Sequence, residues 1–371
     1  VELGWREVAV TPLVDGGLPV LDDGLGRLIA PAEAELLEVG TDHAERPPTI
    51  LPYTAQARYG REPRPVRQRV ATLTNERLRA EVLLDLGGRL WTLTDLRDGR
   101  ELLHQPDAIQ FANLALRNAW FAGGVEWNLG VTGHWPLTCT PVSAAVVERD
   151  GVQILRLWAY ERLLELIWRV EMWLPEQAEA LYVHVTLHNP HADDRPVYWW
   201  SNTAVPLVAG TRVLVDAESA FHFAYEDLLA RVPVPGEPEL SRPAEASHAG
   251  DWFFEIDAAK PWIAAVDESG RGLLQVSTAR LRGRKLFVWG TGPGGSRWQE
   301  WLSGRGAYTE IQAGLARTQL EHLRLPAGHT WSWTERYGPV GLRQAQGPWA
   351  EAVAEVRDAV ADAADLAASL G

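Results

Sequence analysis

The chain has 371 residues, of which 46% are hydrophobic, and its formal net charge is −14 at pH 7. This length and composition predict a globular protein with a sizeable core, whereas the acidic charge argues against nucleic acid and against an anionic membrane surface as partners. The single cysteine, Cys139, excludes a disulfide framework within the chain and a cysteine-rich metal site, and we expect it to be a small buried residue.

No run of 18 apolar residues predicts a membrane span, and the N-terminus lacks the basic and then apolar pattern of a secretory signal. We therefore expect a cytoplasmic protein. The chain begins at Val1 rather than at Met, so we expect a processed or trimmed N-terminus.

Tryptophan is the unusual feature of the composition, with 18 Trp against 8 Tyr and 7 Phe. Its ring buries a large area while its N–H needs a partner. In an acidic protein this content favours a carbohydrate site, where flat rings stack on sugar faces. Large β cores also use Trp, so the composition alone leaves both interpretations open.

Residues 1–65 are rich in Pro, Gly and charged residues, with short apolar runs between turn signals. The alternating run WREVAV at 5–10 predicts one strand, and the five prolines between residues 46 and 66 indicate a connector. We predict a short N-terminal β extension or linker over 1–65.

Residues 66–342 carry short alternating runs at a spacing near ten residues, separated by Gly, Pro and Asp-Gly turns. This rhythm predicts an all-β sandwich or barrel, with Asp98-Gly99 as a strong hairpin turn. The Pro-rich residues 230–250 predict a long surface loop. We interpret 290–308 as a Gly-rich loop that borders a pocket, because it lacks the Gly-Lys-Ser/Thr ending of a phosphate loop.

The last stretch, 343–371, is rich in Ala and places Pro348 where a first helical residue would be. Its Val and Ala residues are spaced to form one apolar stripe, so we predict a C-terminal helix. That helix either packs on the β domain or leads into further helical repeats, and a homo-oligomer is also possible.

Residues 117–136 combine Gly123-Gly124, a carboxylate at Glu126, a histidine at His134 and three tryptophans. Paired glycines allow the backbone to bend or to approach another group closely. Either this stretch is the wall of a pocket, or it is a bent strand whose glutamate is solvated. The residues alone do not decide between the two.

A second carboxylate, Glu310, lies in the strand AYTEIQAG, where alternation places Tyr308, Glu310 and Gln312 on one face. Such a face suits contact with a sugar, although a lone Glu is often simply solvated. Acid–base chemistry at an anomeric carbon commonly uses two carboxylates, which are about 5–5.5 Å apart for retention and about 6.5–9.5 Å apart for inversion.

The ten histidines show no metal-binding spacing. The closest group, His184, His188 and His191, is divided between an alternating strand and the turn after it. We therefore expect neither a metal ion nor an organic cofactor.

Several segments carry a family resemblance, which covers roughly residues 65–340. The segments at 87–104 (GGRLWTLTDLRDGRELLH) and 307–312 (AYTEIQ) resemble the galactose-mutarotase-like fold. The segments at 127–136 (WNLGVTGHWP), 198–207 (YWWSNTAVPL) and 285–303 (KLFVWGTGPGGSRWQEWLS) are similar to a bacterial domain family of unknown function, DUF5107. That domain often precedes tetratricopeptide helices, and the resemblance implies an all-β supersandwich.

The resemblance implies that Glu310 is the catalytic base and that Arg89 lies near the position of a substrate-binding arginine. It also reveals two departures, since mutarotases carry one histidine just before the Gly-Gly pair and another after the Asn of the aromatic strand. Here the first position is occupied by Phe121-Ala122, and Thr203 follows Asn202.

Both imidazoles of the mutarotase pattern are therefore missing where the pattern places them, while a carboxylate, Glu126, stands close after the glycine pair. Ring opening needs an acid that protonates the ring oxygen. His134 or Glu126 could take over this role.

We therefore expect a carbohydrate-active enzyme that acts at the anomeric carbon of a mono- or oligosaccharide, first of all a glycoside hydrolase with Glu126 and Glu310 as its carboxylate pair. The residues expected to bind hydroxyl groups or to stack on sugar rings are Arg89, Asn128, His134, Asn202, Gln312, Trp127, Trp200 and Trp298. Two alternatives are a mutarotase or epimerase with a rebuilt general acid and a non-catalytic carbohydrate-binding module.

Overall fold

The computed structural model describes residues 1–14, 16–19, 21, 47–114, 118–224, 229–237, 239–304 and 306–361. Within these residues the chain forms 24 strands, two α-helices and a 3₁₀ turn at Pro243–Glu245, which confirms the predicted all-β class. None of these helices is long and apolar enough to cross a membrane.

The strands in chain order are β1 (Glu2–Val10), β2 (Leu13–Val14), β3 (Arg58–Tyr59), β4 (Arg64–Thr74), β5 (Leu78–Leu83), β6 (Arg89–Asp95), β7 (Arg100–Glu101), β8 (Val125–Leu129), β9 (Ser143–Arg149), β10 (Val152–Glu161), β11 (Leu166–Trp173), β12 (Leu181–His188), β13 (Arg195–Val197), β14 (Trp199–Leu207), β15 (Arg212–Val215), β16 (Ser219–Phe223), β17 (Leu229–Pro233), β18 (Gly250–Phe254), β19 (Trp262–Val266), β20 (Arg271–Ser277), β21 (Gly283–Val288), β22 (Ala307–Gly314), β23 (Leu323–Leu325) and β24 (Thr330–Gly341). The helices are α1 (Pro293–Ser303) and α2 (Trp349–Ala361).

Two large antiparallel sheets make up the sandwich. Sheet I has twelve strands in the order β1-β4-β5-β6-β8-β14-β22-β21-β18-β16-β17, with β7 added beside β6. Sheet II has eight strands in the order β15-β19-β20-β24-β12-β11-β10-β9. Since β1 pairs with β4 along nine residues, the strand predicted in the N-terminal extension belongs to sheet I. The division of the chain after residues 65 and 342 stays a prediction.

The main core fills the space between the two sheets. Val125, Trp127 and Leu129 from β8 enter it from one side, and Val170 and Met172 from β11 enter it from the other. Because successive side chains of a strand point to opposite faces, the residues between these on β8 lie on the outer face of sheet I. That outer face carries the polar cluster described below.

Helix α1 corrects the prediction that 290–308 is a loop. Pro293 occupies the first helical turn after Gly292, and the helix ends at Gly304, whose φ of +62° suits glycine. The glycines that suggest a loop are therefore concentrated at the helix ends and in its first turn. This helix covers part of the outer face, where Leu302 packs against Tyr308.

The C-terminal helix is confirmed for the residues that the structure describes. Helix α2 buries a stripe formed by Ala352, Val353, Val356 and Val360, which packs on sheet II beside Leu214. The remainder of the predicted helix, 362–371, lies outside the described residues. Residues 230–250, predicted as a surface loop, instead include the end of β17, the 3₁₀ turn and the start of β18.

Candidate functional site

A cavity of about 520 Å³ opens on the outer face of sheet I. Its volume lies within the range of small-molecule sites. Polar side chains form its floor, and aromatic side chains form most of its walls. The lining residues are Leu114, Trp120, Thr132, Gly133, His134, Asn202, Phe223, Ala249, Asp251, Phe253, Lys285, Phe287, Trp289, Trp298, Glu310, Gln312, Gln319 and Leu320.

The register of three neighbouring strands brings the polar residues together. Asn202 of β14 lies opposite Glu126 of β8 on one side and opposite Gln312 of β22 on the other. Glu310 is two residues from Gln312 and therefore shares its face. The sequence prediction of a Tyr308, Glu310 and Gln312 face is consistent with this strand, and both Glu310 and Gln312 line the cavity.

The glycine pair before β8 is held by a buried arginine. Gly124 has a φ of +67°, and a Cβ there would lie 2.4 Å from the carbonyl oxygen of Leu90. Arg89 Nη1 donates hydrogen bonds to the carbonyl oxygens of Phe121 (3.0 Å) and Gly123 (2.7 Å). Arg89 is buried and does not line the cavity, so its contacts with this turn correct the prediction that it binds a ligand directly.

Glu126 lies behind the cavity wall, among groups that stabilise its charge. Its Oε2 accepts a hydrogen bond from His134 Nδ1 at 2.9 Å, and its Oε1 lies 3.4 Å from Arg89 Nη2. Burial alone would raise the pKa of Glu126, but the charges of His134 and Arg89 outweigh burial and bring that pKa to about 2. Glu126 is therefore ionised at neutral pH. It is not among the residues that line the cavity.

His134 faces the cavity with its ring held on two sides. The imidazole stacks flat on Trp120, with ring centroids 4.4 Å apart and an angle of 3° between the planes. The ionised Glu126 accepts a hydrogen bond from Nδ1–H of His134. The ring nitrogen left to meet a ligand is therefore Nε2. A neutral ring of this tautomer accepts a proton at Nε2, and a protonated ring donates one there.

Glu310 has the opposite electrostatic environment to Glu126. Burial raises its pKa above the ordinary value, and the negative charge of Glu126 acts in the same direction. The charges of His134 and Lys285 oppose this shift without cancelling it. Gln312 Nε2 donates a hydrogen bond of 2.8 Å to Glu310 Oε2. Two carboxylates on one face of one sheet thus have pKa values that are moved apart, which is a common sign of distinct catalytic roles.

Two further predicted ligands have different positions. Asn202 lines the cavity, and its buried Oδ1 has no hydrogen-bond partner among the described residues. Asn128 is buried: its Oδ1 accepts a hydrogen bond from the backbone N–H of Trp135 at 2.9 Å, and its Nδ2 donates to Glu126 at 3.3 Å. Asn128 therefore holds the loop that carries His134, and the prediction that it binds a ligand is corrected.

The three tryptophans predicted to stack on sugars also separate. Trp298 lies at the cavity and is 40% exposed, as a stacking surface requires. Trp127 is wrong for this role, because alternation along β8 turns it into the core between the sheets, where its Nε1 donates to the carbonyl of Gly88 at 2.8 Å. Trp200 is also wrong, because it is 0% exposed and packs under Gly314.

Sequence reasoning missed several cavity residues, among them Trp120, Asp251, Lys285 and Gln319. Trp120 lies within the stretch 117–136 but outside the segment 127–136 that carries the family resemblance. Lys285 carried a usable signal, since the chain has only one other lysine, Lys260. The other two are brought to the cavity by strand pairing and loop packing over long sequence distances.

Within the described residues, no group of three or more His, Cys, Asp or Glu side chains is arranged to hold a metal ion. Trp120 Nε1 and Asn202 Oδ1 are a buried donor and a buried acceptor without a hydrogen-bond partner in this part of the chain. The cavity can therefore offer both kinds of hydrogen bond to a ligand that carries hydroxyl groups.

Comparison with known proteins agrees with the resemblance found in the sequence. The family model described as "Domain of unknown function (DUF5107)" matches residues 45–234, just over half of the chain. The fold is similar to that of a TPR-domain containing protein from Parabacteroides distasonis, with 23% identity and a TM-score of 0.77. That match covers 91% of this chain and 55% of the other, so the chain spans little more than half the length of the Parabacteroides protein.

The fold is also similar to that of a galactose mutarotase-like protein from Clostridium acetobutylicum. The identity is 10%, the TM-score is 0.55, and the match covers 74% of this chain and 96% of the other. These likenesses confirm the predicted galactose-mutarotase-like supersandwich.

Proposed function

Since the chain belongs to the DUF5107 family and has a galactose-mutarotase-like fold, we propose that it is a carbohydrate-active enzyme. It interconverts the anomers of an aldose by moving protons on the two oxygen atoms bonded to the anomeric carbon. His134 is the general acid and Glu310 is the general base. One observation carries this proposal: both groups line a single cavity, while buried Glu126 stays outside it and accepts a hydrogen bond from the imidazole.

The arrangement of His134 supports its role as the acid. Glu126 fixes the tautomer and the ring orientation, as a buried carboxylate does in a catalytic triad. The stack on Trp120 restricts the ring further. His134 thus replaces the imidazoles that the mutarotase pattern places elsewhere in the sequence.

Glu310 is suited to the role of the base. Burial raises its pKa above the ordinary value, which brings the carboxylate closer to the operating pH of a general base. Gln312 already donates to Oε2, so Oε1 is the oxygen that takes the substrate proton.

In the proposed reaction Glu310 Oε1 accepts the proton of the O1 hydroxyl group, and C1–O1 becomes a carbonyl. The C1–O5 bond breaks, its electron pair goes to O5, and His134 Nε2–H protonates O5. The aldehyde rotates about the C1–C2 bond, and the reverse proton transfers close the ring as the other anomer. No net proton or electron is gained or lost.

Aromatic walls and unpartnered polar atoms support a sugar as the ligand. Trp120, Trp289 and Trp298 supply flat apolar surfaces around the cavity. Asn202 Oδ1 and Trp120 Nε1 can accept from and donate to hydroxyl groups that enter it. A neutral aldose is the simplest ligand that uses both features.

A glycoside hydrolase is the second candidate, but with a changed pair of groups. Glu126 is ionised and separated from the cavity by His134, so the predicted Glu126 and Glu310 pair is replaced by His134 and Glu310. The observation that favours this candidate is Trp298, whose exposed ring at the cavity could support a longer glycan.

Anomer exchange of a panel of aldoses, followed by proton NMR at equilibrium, tests the first candidate. We expect acceleration of exchange for at least one sugar and loss of that acceleration in His134→Asn and Glu310→Gln. An oligosaccharide panel read by mass tests the second candidate in parallel. Sugar binding that persists in both variants, with neither exchange nor cleavage in the wild type, would identify a non-catalytic binding module instead.

A separate proposal concerns what helix α2 leads into. The chain is similar to part of a TPR-domain containing protein, and α2 lies at the end of the described residues. We propose that α2 leads into helical repeats. Limited proteolysis of the natural full-length protein, followed by mass analysis, should then show a protected helical fragment that is separate from the β domain.

A further inference from the structure

The chain uses arginine almost exclusively for its positive charges. Of 35 Lys and Arg residues, only Lys260 and Lys285 are lysines. Lys285 lies on β21, is 4% exposed and lines the cavity. A compact ammonium group with three rotatable donors differs physically from a planar guanidinium group, so this position calls for an explanation.

Lys285 is the origin of a continuous chain of hydrogen bonds that ends on Glu310. Lys285 Nζ donates to Gln319 Oε1 at 2.6 Å, and Gln319 Nε2 donates to Gln312 Oε1 at 2.8 Å. Gln312 Nε2 then donates to Glu310 Oε2 at 2.8 Å. All four side chains are buried.

The direction of this chain follows from the chemistry of its first member. An ammonium group can only donate, so Gln319 must turn its carbonyl oxygen towards Lys285 and its NH₂ group towards Gln312. Gln312 must then present its own NH₂ group to Glu310. Without a fixed donor at one end, each amide could turn over and present an oxygen to the carboxylate.

Lys285, the first member of this chain of hydrogen bonds, is itself held in place. Lys285 Nζ lies 2.6 Å from Asp251 Oδ1, and it lies 5.3 Å and 5.7 Å from the ring centroids of Phe253 and Phe287. The ammonium group is therefore held in place by an ion pair and by two aromatic faces. A fixed donor of this kind orients the amides that follow it.

We propose that Lys285 is a positioning residue for Glu310, and that it acts through Gln319 and Gln312 to occupy Glu310 Oε2 and leave Oε1 for the proton of the substrate. This inference rests on the proposed function of Glu310 as the general base. Lys285 itself takes no part in proton transfer.

Several charged or titratable groups besides Lys285 act on Glu310, and the test must keep them constant. They are His134, Glu126, Arg89 and Tyr308. Substitutions at Lys285 and Gln319 leave all of them in place. Gln319→Leu is the cleaner of the two substitutions, because it interrupts the series of hydrogen bonds while the ion pair of Lys285 with Asp251 stays intact.

The experiment compares Gln319→Leu and Lys285→Met with Lys260→Met as the matched control. In both test variants we expect kcat to fall about 10²-fold while KM changes less than about threefold, because a base that is misplaced by about 1 Å loses rate rather than affinity. Lys260→Met should keep kcat within about twofold of the wild type, since Lys260 lies outside the cavity.

A readout that needs no turnover is the infrared band of the protonated Glu310 carboxyl, identified by its loss in Glu310→Gln. Lys285 and the Gln312 hydrogen bond both lower the pKa of Glu310, so the band should titrate at higher pH in both test variants. An unchanged titration in Gln319→Leu and Lys285→Met, or an unchanged kcat in either variant, overturns the inference. If the wild type turns over no sugar, the proposed function fails, whereas the titration still decides whether the chain of hydrogen bonds controls Glu310.

Discussion

Among the described residues, two histidines stack flat on tryptophans, and their surroundings differ in one decisive way. His134 lies 4.4 Å from Trp120 at an angle of 3°, and His222 lies 4.6 Å from Trp252 at an angle of 8°. Each borders a cavity, of about 520 Å³ for His134 and about 550 Å³ for His222. Stacking geometry and access therefore do not distinguish them.

The difference lies behind the rings. His134 Nδ1 meets the ionised Glu126, whereas no described residue forms a hydrogen bond with the ring of His222. Burial lowers the pKa of His222, and the charge of Asp251 only partly opposes that effect. Stacking on a tryptophan thus restricts an imidazole, while a buried carboxylate makes it a directed proton donor.

The largest expected effect separates the two stacks directly. His134→Asn should reduce kcat/KM for anomer exchange by about 10²- to 10⁴-fold, which is the usual contribution of a positioned acid or base. His222→Asn, the matched control, should keep kcat/KM within about twofold of the wild type. The exchange rate measured by NMR provides both values, and equal losses in the two variants would remove the distinction.

Removing the carboxylate that is hydrogen-bonded to His134 should have the next largest effect. Glu126→Gln keeps the shape of the side chain but leaves Arg89 buried without its charged partner. We expect kcat to fall about 10- to 100-fold and stability to fall by about 3 kcal/mol or more. Denaturant unfolding and exchange kinetics measure the two losses, and full activity would show that the carboxylate is dispensable for His134.

The stability effect of Glu126 should depend on pH with a definite sign. Its pKa falls from 4.5 to about 2 on folding, so its contribution is present above pH 4.5 and is lost as the pH falls towards 2. The difference in Tm between the wild type and Glu126→Gln should therefore narrow between pH 5 and pH 2. A difference that stays constant over this range would contradict the buried ion cluster.

Glu310 should show the opposite dependence, with a smaller effect. Its pKa is raised on folding, so its contribution to stability is present below pH 4.5 and is lost as the pH rises through the folded pKa. Glu310→Gln should therefore be about 1 kcal/mol more stable than the wild type at neutral pH, while its catalysis is lost. The Tm of Glu310→Gln minus the Tm of the wild type should therefore be larger at pH 7 than at pH 4. A smaller difference at pH 7 would argue against this assignment.

The smallest expected effect concerns binding alone. Trp298→Ala removes an exposed ring from the cavity mouth, which should weaken sugar stacking by about 0.5–1 kcal/mol and raise KM about two- to fivefold. Because Trp298 contributes a stacking surface and has no part in the proposed proton transfers, kcat should remain close to the wild-type value. A large loss of kcat would place Trp298 closer to the reaction than proposed.

The sequence predicts the fold well, because the evidence for it is local. Short alternating runs and Asp-Gly or Pro turns indicate antiparallel strands without knowledge of their partners, and the resemblance supplied the supersandwich. Helix α1 was missed for an equally local reason. Three glycines and a proline around residues 292–295 indicate a loop when read alone, although they also suit the first turn of a helix.

The site was only partly predictable, because its geometry depends on pairing between distant strands. Alternation placed Glu310 and Gln312 on one face, and the Gly-Gly context singled out Glu126 and His134. It could not show that His134 would stand between Glu126 and the cavity. Alternation along the strand also places Trp127 on the other face from Glu126, so the sequence contains the reason that this tryptophan belongs to the core.

A crystal structure of Glu310→Gln soaked with an aldose that the wild type exchanges would show whether a sugar lies between His134 and residue 310. We expect a sugar ring in the cavity, with its ring oxygen within hydrogen-bond distance of His134 Nε2 and its O1 next to residue 310. A sugar held only against Trp298, with its anomeric carbon away from both side chains, would contradict the assignment of His134 and Glu310 as the acid and the base.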